Sequence, residues 1–203
     1  MTRRIALGLG CAALLAAGPA AGQGGSATDA IAKYRQQLAE GNPAELWEVR
    51  GEGLWQARRG PRNASLEQCD LGLGPGVVRG AYARLPRFFP DTGKVQDLES
   101  RLVTCMVTLQ GVTEADAKKQ PFGAGPSRRS DMEALAAWIT SESRGARMDV
   151  ALAHPKEQEA YEVGRRLFFY RAGPHDFACA TCHSSDGRRI RLQDLPNLLE
   201  PKD

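Results

Sequence analysis

Residues 177–185 read F-A-C-A-T-C-H-S-S, with Cys179 and Cys182 three positions apart and His183 immediately after. Three chemistries use such a set. Two thiols at this spacing can each add across a vinyl group along one edge of a haem, and the adjacent imidazole then comes beneath the ring as an axial iron ligand. A zinc site needs two further ligands, and the other histidines are His154 and His175. A thioredoxin-like dithiol needs a strand–helix–strand setting, which the flanking sequence lacks. Haem c, one per chain, held by Cys179 and Cys182 with His183 on the iron, is the favoured reading. Arg171, Arg188, Arg189 and Arg191 cluster nearby. They could attract an anion or haem propionates, although solvated surface charge is the simpler role.

The elements around the motif fit that reading. Residues 157–171 predict an amphipathic helix, with Ala160, Tyr161, Gly164, Leu167 and Phe168 at helical spacing. A small residue at a helix crossing point just before the attachment motif is a feature of small c-type cytochromes. The stretch G-E-G-L-W-Q-A-R-R-G-P (51–61) repeats in G-R-R-L-F-F-Y-R-A-G-P (164–174), identical at the first Gly, the Leu, one Arg and the closing Gly-Pro. After its proline the first copy takes three residues more than the second to reach a cysteine, Cys69. Placing Cys69 on the first cysteine of the motif puts Gly72 at the second and Leu73 at the histidine. The first copy thus reads as a degenerate haem domain, with convergent helix-entry chemistry as the alternative.

Cys69 then pairs most simply with Cys105, the other unassigned thiol, closing a loop of about 37 residues and stabilising by roughly 3–4 kcal/mol in the chain-entropy model. Free buried thiols are the alternative. A second helix is predicted over 131–144, capped by Ser130 or Asp131, with Met132, Leu135, Ala136 and Ile139 on one face. His154-Pro155 falls in a linker, and G-L-G-P-G (72–76) reads as a turn because no apolar strand precedes it.

Composition sets the class. The 203 residues are 42% hydrophobic and 25% charged, with 22 Gly and 12 Pro, a globular but loop-rich balance. Residues 1–22 read as a secretory signal peptide: Arg3 and Arg4, an apolar run from Ile5 to Ala17 too short for a span, then Ala20-Ala21-Gly22. Cys11 leaves with it, and the four remaining cysteines suit an oxidising compartment. The rest of the chain is nearly neutral and has no basic run that would grip nucleic acid or a membrane surface.

Five blocks together carry a family resemblance: N-A-S-L-E-Q-C-D-L-G (63–72), L-P-R-F-F-P-D-T-G-K-V-Q-D-L-E-S-R-L (85–102), W-I-T-S-E-S-R-G (138–145), A-H-P-K-E (153–157) and F-A-C-A-T-C-H (177–183). Over roughly residues 29 to 203 the chain resembles the SoxA family, periplasmic c-type cytochrome subunits of bacterial sulfur oxidation. The resemblance implies a mainly α fold of two cytochrome c-like domains, 23–149 degenerate and without haem, 150–203 haem-binding. It implies the single-haem kind, with a disulfide in the first half. Implied partners are a small cytochrome, SoxX, and a sulfur carrier, SoxY, to whose cysteine thiosulfate is joined oxidatively while electrons pass to a small cytochrome acceptor. The family's catalytic cysteine lies downstream of the haem motif, and this sequence has no cysteine after Cys182 and no methionine after Met148. The second domain is therefore expected to be truncated, and the catalytic residue stays unassigned. An electron carrier without bond-making chemistry, or a haem-free binding module, are the competing readings.

Overall fold

The computed structural model describes residues 27–119, 130–190 and 193–200; the expected signal peptide and Arg191 lie outside them. The chain divides into two compact units, residues 1–40 and 41–203. In the first, the described part is helix α1 (Ala27–Glu40), with Tyr34 and Leu38 exposed.

In the second unit, α2 (Ala44–Gln56) begins where the Asn42 side chain accepts the Ala44 N–H at 3.0 Å. It crosses α5 (Asp131–Ser141) closely, because Gly51 has no side chain: a Cβ there would come 2.0 Å from the Ala134 carbonyl oxygen. One turn further on, the rings of Trp55 and Trp138 meet at 5.6 Å. Helix α5 occupies most of its predicted span. Ser130 is the cap, its Oγ accepting the Glu133 N–H at 3.2 Å. Met132, Leu135 and Ile139 are buried as the periodicity requires, and Ala136 is half-buried.

Between these helices, β1 (Arg87–Phe89) and β2 (Lys94–Gln96) form an antiparallel hairpin with Phe88 opposite Val95. Asp97 caps α3 (Leu98–Cys105), which widens into a π-helical turn over Met106–Gln110; the short α4 (Glu114–Ala117) follows. The core gathers Trp55, Leu66, Leu71, Leu102, Leu135 and Ile139. Arg101 is buried among them, yet its charge is satisfied: Nε donates to the Asp70 carbonyl at 2.6 Å, Nη1 to Asp91 at 2.7 Å, and the guanidinium lies 4.0 Å from the Phe89 ring centre.

Past Ser143 the character changes. Helix α6 (Pro155–Phe169) starts earlier than its periodicity indicates, with Pro155 in its first turn and His154 capping it, so His154-Pro155 is a helix start and not a linker. Its apolar stripe, expected to face a core, is largely uncovered. Tyr161 and Leu167 are exposed, and a Cβ at Gly164 would meet no atom within 4 Å. Val95, Leu152, Tyr161, Gly164, Phe168 and Leu198 line an open groove of about 520 Å³ along this face. A single turn, α7 (Cys179–His183), and a small hairpin of β3 (Arg189–Ile190) and β4 (Gln193–Asp194) complete the chain. Among the described residues no helix is long and apolar enough to cross a membrane.

Candidate functional site

The attachment turn is delivered by a tight reversal after α6. Ala172 and Phe177 exchange two backbone hydrogen bonds of 3.0 and 3.1 Å, and the Asp176 N–H donates to the Gly173 carbonyl at 3.0 Å. Gly173 (φ +78°) and Asp176 (φ +50°) take the left-handed conformation that such a turn needs, with glycine the easier occupant and aspartate tolerated. Arg171 Nε braces the loop at its surface by donating to Asp176 Oδ2 at 2.9 Å. The chain then enters α7, whose first turn is closed by Thr181 Oγ1 accepting the Ala178 N–H at 3.0 Å.

On that turn Cys179 is exposed, Cys182 is half-buried, and both thiols are free. Three residues apart on a helix, they share one face. His183 is oriented from behind: its Nδ1 lies 3.1 Å from the Pro196 carbonyl oxygen. A carbonyl only accepts, so this contact requires the proton on Nδ1 and leaves the Nε2 lone pair free for a metal. The Leu198 N–H donates to the His183 carbonyl at 2.9 Å, tying the 193–200 segment to the turn a second time. Phe177, Leu167, Ile190 and Leu198 are exposed apolar side chains.

Two adjacent free thiols and an imidazole with Nε2 available match the donors a covalently held haem requires. The zinc reading lacks its remaining ligands, since no group of three or more His, Cys, Asp or Glu able to hold a metal ion occurs among the described residues. The arginines are less available than their sequence clustering implies. Arg171 pairs with Asp176 at 2.9 Å and Arg189 with Asp194 at 2.5 Å, while Arg188 donates to Ser185 Oγ at 3.2 Å.

Away from the motif, Cys69 and Cys105 are bonded, with Cα atoms 5.5 Å apart and both residues buried in the core. The turn before Cys69 repeats the turn before the motif. Arg59 and Ala64 exchange the same pair of hydrogen bonds as Ala172 and Phe177, and the Asn63 N–H donates to the Gly60 carbonyl as that of Asp176 does to Gly173. Asn63 (φ +46°) and Gly60 (φ +70°) repeat the left-handed positions as well. The two segments therefore correspond without a gap as far as Ala64 and Phe177. Continued in that register, Cys69 falls at Cys182, with Leu66 at the first cysteine and Asp70 at the histidine; in the register with Cys69 at Cys179, Gly72 at Cys182 and Leu73 at His183, the three extra residues lie in 65–68.

One residue the sequence reading missed is Glu157, 6% exposed. Its Oε1 accepts the Phe88 N–H at 2.8 Å and its Oε2 the His154 N–H at 3.0 Å. Burial by itself would push its carboxyl up; the two backbone N–H donors and the charges of Arg87 and His154 outweigh it, holding the group below its ordinary value of 4.5. The only sequence signal was its position three residues after a capping residue.

The SoxA/TsdA cytochrome c domain family matches residues 50–148. The L-cysteine S-thiosulfotransferase subunit SoxA of Hydrogenophilus thermoluteolus is 59% identical over 169 residues, 83% of this chain and 61% of that protein. The chain belongs to the SoxA family. A SoxA subunit of Hydrogenobacter thermophilus is 35% identical over 79% of this chain and 58% of its own length. The crystal structure of SoxXA from P. pantotrophus superposes on this SoxA-family chain with a TM-score of 0.63 at 25% identity, covering 82% of this chain and 60% of that one. The chain thus spans about three fifths of the length of the relatives it matches.

Proposed function

We propose that this chain is the haem c subunit of a periplasmic L-cysteine S-thiosulfotransferase, exported by the signal peptide read over residues 1–22. The observation that carries the reading is the α7 turn, where two free thiols precede an imidazole whose Nδ1 is held by Pro196, in a chain 59% identical to a SoxA subunit. In this reading residues 23–149 are a degenerate cytochrome c-like domain and 150–203 the haem-bearing one. Cys179 and Cys182 would hold one haem through thioethers. Each thiol adds across a vinyl group, its sulfur forming the new S–C bond and its proton passing to the neighbouring carbon, so no oxidant is needed. His183 would give its Nε2 lone pair to the iron, and the Pro196 contact fixes both the tautomer and the plane of the ring. Bound there, a haem supplies one-electron redox chemistry.

Thiosulfate would be joined to a cysteine of a SoxY-like carrier, which removes two electrons from the pair of sulfur groups. A SoxX-like small cytochrome would be the partner subunit and a small cytochrome the acceptor. The test is to express the chain with cytochrome maturation machinery, combine it with the partner and carrier, and measure covalent haem and thiosulfate conjugation together. One alkali-stable haem per chain with thiosulfate-dependent carrier modification supports the reading. Haem without conjugation supports the plain electron carrier instead, and no covalent haem at all defeats both.

A further inference from the structure

Among the described residues beyond Ser143, Glu157 alone is buried. The whole apolar core is drawn from residues 55–139. The segment that carries the C-x-x-C-H turn therefore meets that core through a polar contact, with a carboxylate at its centre.

The hairpin explains why the contact forms. Phe88 sits in the middle of the three-residue strand β1, and its N–H points away from β2. An edge N–H left dry is costly, and Glu157 Oε1 accepts it. The other oxygen accepts the N–H of His154, the capping residue of the same helix. Around this pair, the His154 ring lies flat on Phe88 with ring centres 3.7 Å apart and planes 3° apart. Lys156 Nζ donates to the Gly93 carbonyl in the hairpin turn. The connector before it is strapped too, the Asp149 N–H donating to the Ala83 carbonyl at 2.8 Å and Arg84 pairing with Asp149.

We propose that Glu157 is a latch: it docks the motif-bearing helix α6 on the β1–β2 hairpin, and the segment from residue 150 onward opens from the disulfide-bonded core as a unit when that contact is released. Glu157 is a positioning residue, acting on the attachment turn through α6. The latch stands on these contacts alone and does not depend on the haem reading, so amide exchange and haem attachment can fail separately.

The decisive measurement is native-state hydrogen exchange on the full chain across a denaturant series. The Phe88 and His154 amides should exchange through an opening separate from, and easier than, the one that exposes the α5 amides of Leu135 and Ile139. In Glu157→Ala, exchange at Phe88 and His154 should rise by about tenfold or more while α5 is unchanged. Glu159→Ala, which removes an exposed charge from the same helix, should change neither. Cleavage by a protease within 145–153 should quicken only in the Glu157 variant. Exchange of Phe88 in step with α5 in the wild-type protein would overturn the latch, as would an unchanged Phe88 amide in Glu157→Ala. The wild-type series needs no variant and decides the matter if the alanine form does not accumulate.

Discussion

His183 shows how much a single contact adds to a motif. C-x-x-C-H names the donors, but only the 3.1 Å approach of Nδ1 to the Pro196 carbonyl says which ring nitrogen is left free to bind a metal. Replacing both Cys179 and Cys182 by serine should give a protein whose haem extracts into acidified acetone, whereas in the parent it stays with the polypeptide; absorbance of the two phases reads this directly. Glu157 supplies the pH dependence. Its carboxyl is held below the ordinary glutamate value, so the folded state binds its proton less readily than the unfolded chain. The stability it contributes is present above that ordinary value and is lost as pH falls through the lower folded one. Denaturant unfolding followed at the Phe88 amide should therefore weaken on acidification in the parent, and this dependence should be missing in Glu157→Gln.

Among the helices, two glycines at matching positions have opposite surroundings. Gly51 and Gly164 both open their copies of the repeat, and the sequence predicts a small residue of the 157–171 helix at a crossing point. The structure places the close crossing at Gly51, against the Ala134 carbonyl, and leaves Gly164 open. Gly51→Ala should thus cost about 1–3 kcal/mol by overpacking. Gly164→Ala should be neutral, or stabilising by about 0.5–1 kcal/mol through helix propensity. Thermal unfolding of the two variants side by side tests the contrast. Ser130 is the simpler case: a cap at Ser130 or Asp131 was legible because a capping bond spans only three residues, the structure chooses Ser130, and Ser130→Ala should lower stability by about 1 kcal/mol.

For the molecule as a whole, the disulfide links residues 36 apart in sequence and joins the loop after α2 to the end of α3. Cys105→Ser should lower stability by roughly 3–4 kcal/mol, because the unfolded chain regains the freedom the closed loop denies it. That corresponds to a fall of about 10 °C in Tm, and added reductant should then have no further effect on the variant. The two ends of the second unit differ in kind. The 55–139 region buries a continuous apolar core, while from residue 150 onward Tyr161, Leu167, Phe177 and Leu198 face solvent and Glu157 alone is buried among the described residues. Stability measured at Trp55 and Trp138 should accordingly report the disulfide and not the latch.

What the sequence determined by itself is local. The α7 donors, a cap at Ser130 or Asp131, the Gly-rich turn after Cys69 and the face of α5 all follow from spacings of a few residues, which one helical turn or one tight turn converts directly into geometry. The five family blocks were legible for the same reason. The tertiary structure decided whatever depends on residues far apart in the chain. Pro196 reaches back to His183, Glu157 finds the edge N–H of Phe88, Gly51 lets two helix backbones approach, and Cys69 meets Cys105. In each case the partner is chosen by where packing brings a backbone group that must be satisfied or a space that must be filled, and neither is written in the residue's own neighbourhood.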